Sequence, residues 1–382
     1  DLNHAGRYAW QDLEKRQPPG ERTMKYSLHV STRISDWKFV QELEALGYDA
    51  AWIPDSQMIW SDCYATMALA AANTSRIRIG TGVAIPGTRI APTSAAAISS
   101  INTVAPGRIF WGVGTGHTAM RIMGHDPMPI KEFREYLSVV RALLDGDEVD
   151  YTYRDKTTAI QWGDHGEGFR NVEDRIPIYV AANGPMALRT AGKMADGLIA
   201  VFNEKPDVLA YHMGYVREGA EKAGRTLPDD FHTVSLTNAI VLRPGEKLTD
   251  DRVIDDASSW SIAALHFVYE IWELRQDDSV VPDYMKGVWE EYLDHVEQMD
   301  IPKEKRHQMI HTGHCSFCPP SERRFITPDM IRGANLVGTP EEIAEQIRAA
   351  EAAGLKEISI LPGLDYARET ARDFMEKVVP LV

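Results

Sequence analysis

Short apolar runs rich in β-branched residues alternate with amphipathic stretches along almost the whole chain. Runs of this kind at Tyr26–Ser31, Ala50–Pro54, Ile77–Gly82, Arg108–Val113, Ile176–Ala181, Leu198–Val201, Thr233–Leu242 and Glu357–Leu361 read as buried strands. Between and after them the spacing predicts helices at Trp37–Leu46, Tyr64–Ala72, Thr93–Val104, Ile130–Leu144, Met186–Met194, Asp207–Ala223, Glu341–Ala353 and Ala367–Val378. Pro106-Gly107 ends one helix and turns the chain. Thr339, Pro340 and Gly354 carry the start and stop signals of another, as N-cap, first residue and terminator.

Strands that alternate with helices form parallel sheets, and eight such units predict closure into a (β/α)8 TIM barrel of the α/β class. The runner-up is an open doubly wound sheet. Against it, no Gly-x-Gly-x-x-Gly opens a helix after the first strand, and eight units is long for an open sheet. Two segments interrupt the rhythm. Residues 147–175 hold the alternating run Val149–Tyr153, a hairpin signature, and then a loop rich in Gly, Asp and His. Residues 243–338 hold helical stretches near Ala257–Leu274 and Val288–Met299 and an irregular run through Pro319-Pro320. Insertions of this size on a barrel are usually lids or binding loops. The expected organisation is an N-terminal arm over 1–23 and one barrel over 24–382. The arm reads either as a polar tail or as a segment that embraces a second subunit.

Composition narrows the class of function. Lys+Arg 41 against Asp+Glu 56 gives a formal net charge of −15. Such a surface repels phosphate backbones and anionic lipid, so neither nucleic acid nor a membrane is expected as a partner. No apolar stretch spans a bilayer and no signal peptide is visible. Three cysteines, Cys63, Cys315 and Cys318, are too few for a disulfide framework and fit a reducing cytoplasm.

Candidate chemistry sits where strands end. Ala182-Asn183-Gly184-Pro185-Met186 follows a strand and opens a helix, whose free N–H groups and dipole suit a phosphate; the same residues also make a plain strand-to-helix turn. Thr115, Gly116 and His117 form a second edge, and the two together suit one phosphate-bearing cofactor. Asp55 ends the second strand beside Ser56 and reads either as a functional carboxylate or as a local cap. His311, His314, Cys315 and Cys318 fall within one short loop. Without a second cluster a metal is not expected there, and the histidines read as donors in a lid over the barrel mouth. Trp260, Trp272 and Trp289 read as core of the insertion in preference to a substrate wall. Neither Gly-x-Ser-x-Gly nor His-Glu-x-x-His occurs, which argues against hydrolases.

The order Trp52-Ile-Pro-Asp55, Ile79-Gly-Thr-Gly-Val83, Gly107-Arg108, Gly112-Val-Gly-Thr-Gly116, Ile176-Pro-Ile-Tyr179, Ala182-Asn-Gly-Pro185 and Ala195-Asp-Gly-Leu198 resembles the bacterial luciferase-like flavin oxidoreductases. The branch it resembles most is that of methylenetetrahydromethanopterin reductase. The resemblance covers about residues 25–240 and 338–378. It implies an oxidoreductase on a barrel with insertions, usually a homodimer. Its cofactor would be coenzyme F420, for hydride transfer to or from a small organic substrate, or reduced FMN with O2, for monooxygenation. A barrel that binds the cofactor without catalysis is a third reading. The resemblance implies a non-proline cis peptide at Gly82–Val83, forming a bulge behind the cofactor ring. It places the cofactor phosphate on Asn183, Gly184, Pro185 and Met186, and more of the cofactor along Gly114–His117. Many deazaflavin enzymes carry Asp-His at the end of strand two. Here the pair is Asp55-Ser56, so the imidazole is missing, and Asp55 is expected to face the cofactor ring.

Overall fold

In this computed structural model, which describes residues 22–163 and 166–382, eight parallel strands close into a barrel. In chain order the strands of the molecule are β1 (Lys25–His29), β2 (Ala50–Ile53), β3 (Arg78–Ala84), β4 (Ile109–Val113), β5 (Val149–Tyr153), β6 (Lys156–Ile160), β7 (Ile178–Ala181), β8 (Gly197–Val201), β9 (His232–Thr237), β10 (Ala239–Val241), β11 (Leu336–Gly338) and β12 (Glu357–Ile360). The barrel order is β1-β12-β9-β8-β7-β4-β3-β2. The expected arm lies outside the described residues, apart from Arg22 and Thr23.

The strands alternate between two apolar environments. Tyr26, Leu28, Ala51, Ile53, Ile79, Trp111 and Val180 point outward into the shell of helices. Trp52, Phe110, Tyr179, Ile199 and Val234 point inward and fill the barrel. Gly80 and Gly112 make room for that filling. A Cβ on Gly80 would lie 2.1 Å from the Phe110 ring, and one on Gly112 would lie 2.7 Å from Trp52.

The inner layer also holds a polar cluster. Glu357 is buried and accepts from Trp52 Nε1 at 2.8 Å and Ser27 Oγ at 2.5 Å, with His232 Nε2 2.7 Å away. Burial alone would raise its carboxyl, but these hydrogen bonds and the His232 charge outweigh it and bring the pKa down to about 2. Above it, His29 stacks on Trp52 with ring centroids 5.3 Å apart, and burial pushes its pKa down to about 3.

The expected hairpin is present as the antiparallel pair β5–β6. The helix at Pro340–Ala352 starts as expected: Thr339 accepts from the Glu342 N–H, Glu342 returns a bond to the Thr339 N–H, and Gly354 turns the chain at φ +102°. Two expectations are corrected. The run Thr233–Leu242 is not one strand. It leaves the barrel after Thr237, where Asn238 bonds Asn335 and the Asp256 carbonyl, and continues as β10 paired in parallel with β11. The last helix is α-helical over Ala367–Asp373 and widens to a π-turn over Phe374–Val378.

The insertion between β10 and β11 carries a core of its own. Its long helix Asp251–Arg275 and the helix Lys286–Glu297 pack Leu265, Tyr269, Val288, Trp289 and Tyr292 against Phe325 and Ile331. Trp260 is buried against Cys315 and Leu361, with Nε1 on the Ala334 carbonyl at 2.7 Å. These tryptophans therefore belong to packing. Among the described residues no helix is long and apolar enough to cross a membrane.

Candidate active site at the barrel mouth

The C-terminal ends of the barrel strands bring the sequence-predicted residues to one face. Within the C-terminal half of β3 the Gly82–Val83 peptide is cis, and the β3–β4 register shifts between Thr81 and Ala84, which is the expected bulge. Gly82 has no room for a side chain, since a Cβ would sit 2.7 Å from Trp52 and 2.8 Å from His29. Beside it, Gly114 packs on Val83 and Ala181 so closely that a Cβ would meet both at about 3.1–3.2 Å. Gly116 takes a left-handed φ of +91° and caps the short helix His117–Arg121. Val83, Thr115, Gly116 and His117 are thus neighbours around β3 and β4.

The edge after β7 is open. Gly184 caps the helix Pro185–Met194 in extended conformation, and a Cβ there would touch nothing within 4 Å. Pro185 takes the first turn, where its missing N–H costs nothing. Met186 is exposed, and Asn183 turns its side-chain oxygen back to accept from the Val201 N–H at 3.0 Å. A cradle with free N–H groups and no side chain fits a phosphate.

Asp55 is buried, and its carboxylate is already engaged. Arg89 Nη1 donates to both oxygens, at 2.8 and 2.6 Å, and the Ile85 N–H lies 3.3 Å from Oδ2. Burial raises its pKa, and Arg89 opposes that shift. Asp55 thus ties the end of β2 to the loop after β3, instead of presenting a free carboxylate to a cofactor ring. Arg89 also reaches Asp62, which caps the helix Cys63–Ala72. Ser56 is buried beside Asp55, and its carbonyl accepts from Ile59 and Trp60.

The insertion covers β1, β2 and β12. A cleft of about 480 Å³ is lined by Ser31, Thr32, Trp60, His311, Ser316 and Phe317 among others. His311 is buried, with Nε2 2.8 Å from Glu270. His314 sits 5.5 Å from the His311 ring and 6.0 Å from the Trp60 ring, and burial holds its pKa well below the usual range. Cys315 and Cys318 are free thiols that burial pushes up to about 12. Among the described residues no group of three or more His, Cys, Asp or Glu is arranged to hold a metal ion. The pocketed loop meets the glycine edge after β4 through Glu270, 2.8 Å from His311 and 3.3 Å from His117.

Sequence reasoning missed Arg89, Glu270 and Glu204. Arg89 lies in a loop with no motif. Glu270 carried a signal, being an acid within the apolar stretch Phe267-Val-Tyr-Glu-Ile-Trp272. Glu204, after β8, is buried and accepts from Ser235 and Thr237.

Comparison with known proteins agrees with the architecture. The chain is 33% identical over 184 residues to 5,10-methylenetetrahydromethanopterin reductase of Methanolobus tindarius, covering 48% of this chain and 54% of that one. It is 34% identical over 201 residues to the F420-dependent glucose-6-phosphate dehydrogenase of Nocardia farcinica, covering 48% and 58%. The chain thus spans a little over half the length of these curated relatives. The solved structure of the coenzyme F420-dependent tetrahydromethanopterin reductase of Methanopyrus kandleri superimposes with a TM-score of 0.69 at 21% identity, over 94% of this chain and 99% of that one. The luciferase-like monooxygenase family model matches residues 37–357, most of the 382-residue chain, and the chain belongs to that family.

Proposed function

We propose that this protein is an oxidoreductase that uses coenzyme F420 for hydride transfer to or from a small organic substrate. The observation that carries the reading is the open Gly184 edge at a helix N-terminus, on the same mouth as the β3 bulge. Support for F420 over FMN comes from the F420-dependent glucose-6-phosphate dehydrogenase and the coenzyme F420-dependent reductase to which the chain is similar. In this reading Asn183, Gly184, Pro185 and Met186 hold the cofactor phosphate, and Gly82, Val83, Thr115, Gly116 and His117 line the ring. Asp55 and Ser56 position the β2 edge, and His311 and His314 belong to the substrate side. When bound, the deazaflavin supplies or accepts the hydride. The chain's own residues bind it, orient it and exclude water. We also place the protein in the cytoplasm as a homodimer, with a small molecule as substrate and neither nucleic acid nor membrane as partner.

Fluorescence titration with F420 and with FMN tests this. The expected result is micromolar or tighter affinity for F420 and at least tenfold weaker affinity for FMN. The reverse order would replace the reading with a flavin monooxygenase.

A further inference from the structure

One carboxylate at the mouth joins two imidazoles from distant parts of the chain. Glu270 lies on the insertion helix Asp251–Arg275. Its Oε1 is 2.8 Å from Nε2 of His311. Its Oε2 has no hydrogen-bond partner, and Nδ1 of His117 lies 3.3 Å away. His117 starts the short helix after β4, directly beyond the glycine edge. The three differ in exposure: the His117 side chain is 31% exposed, Glu270 8% and His311 2%. His117 is therefore the open end of the group and His311 its buried anchor. Phe267 packs on the His117 ring with centroids 4.9 Å apart and limits its rotation.

We propose that His117 exchanges the proton that accompanies hydride transfer, that Glu270 positions its ring through Nδ1, and that His311 fixes Glu270. The inference rests on the F420 reading above and adds the proton to it. The substrate class it implies has a polarised C=O or C=N bond. In the reducing direction the bound deazaflavin would supply a hydride to the acceptor carbon, and the π electron pair would move to the heteroatom. That heteroatom takes a proton from Nε2 of His117, and the neutral imidazole is recharged from water. The reverse direction returns the same proton to Nε2. A carboxylate on Nδ1 leaves Nε2 as the exchanging atom in both protonation states. His117 is then the imidazole of the site in a chain whose position 56 is serine.

The charges around His117 come from several elements. Burial lowers its pKa, Glu270 opposes this, and Arg121 on its own helix and His311 from the insertion loop lower it further. His314 also faces the group, and His266, 6.5 Å from the His311 ring, has its Nε2 3.0 Å from Glu322. Glu270 itself is raised by burial, but His311 and then His117 outweigh this and keep it ionised.

The test joins two readouts on the full chain. Proton NMR follows the His117 titration in cofactor-free protein, and steady-state kinetics with reduced F420 follow the pH dependence of kcat. Glu270→Gln keeps shape and removes charge. The expected result is a lower His117 midpoint, a kcat profile displaced in the same direction, and kcat at pH 7 reduced at least tenfold, with coenzyme affinity within twofold of wild type. If Glu270→Gln does not fold, His117→Gln at the exposed end carries the same test, since it should abolish the pH limb while coenzyme still binds. A His117 midpoint that moves while the kcat profile stays in place overturns the proposal and leaves the F420 reading standing. Wild-type protein that binds no F420 overturns that reading, and the proposal with it.

Discussion

Gly184 and Asp55 show how differently two strand-end residues use their surroundings. Nothing lies within 4 Å of a Cβ at Gly184, and its φ of −91° suits any residue. Gly184→Val should therefore leave thermal stability unchanged and weaken F420 binding at least tenfold, about 1.4 kcal/mol, in a fluorescence titration. Asp55 is the opposite case. Asp55→Asn removes the charge that Arg89 faces in a largely buried setting. It should lower stability by at most about 3 kcal/mol in denaturant unfolding, because Arg89 loses its buried partner and keeps only Asp62. Glu357 supplies a pH signature. Its folded pKa of about 2 lies below the ordinary carboxylate value of 4.5, so its contribution is complete above 4.5 and lost as the pH falls toward 2. Glu357→Gln should flatten the acid limb of a stability–pH curve in that window, by about 3 kcal/mol.

At the scale of elements, local chemistry sets the helices and long-range pairing sets the strands. The capping box at Thr339 is local, and Thr339→Ala should cost about 1 kcal/mol in denaturant midpoint while leaving cofactor affinity alone. It was legible because cap, proline and stop glycine lie on one short segment. The break at Asn238 was not. Thr233–Leu242 is one apolar run, and what divides it is pairing of Ala239–Val241 with Leu336–Gly338, nearly a hundred residues onward. The site divides the same way. Gly82 and Gly114 announce close approach by being glycine. The partners Arg89 and Glu270 act through contacts that only the closed barrel and the seated insertion create.

Among the described residues the helical shell of the barrel and the insertion have separate apolar cores. The eight-unit count and the family motifs made the first legible, since each unit repeats the same grammar. The second has no repeat and draws on Tyr269, Trp289, Tyr292 and Phe325 from scattered positions. Separate cores open separately. Hydrogen exchange should show Asp251–Arg275 and Lys286–Glu297 exchanging together, with less protection than β1–β4. Trp289→Ala should speed exchange in those helices alone, and acceleration spread through the barrel strands would refute the division.

The chain leaves for the insertion at Val241 and comes back at Leu336, inside a ribbon of three paired residues. Because the pairing is parallel, Val241 lies beside Gly338 and Leu336 beside Ala239, so the intervening segment leaves one end of the ribbon and must cross back to the other. Such a junction works as a socket. A cassette of different length can be exchanged there without altering barrel register, as long as it is long enough to cross back along the ribbon. The part of the protein that shapes the cleft over β1 and β2 is then free to diversify, while the glycine edges after β3, β4 and β7 stay as they are.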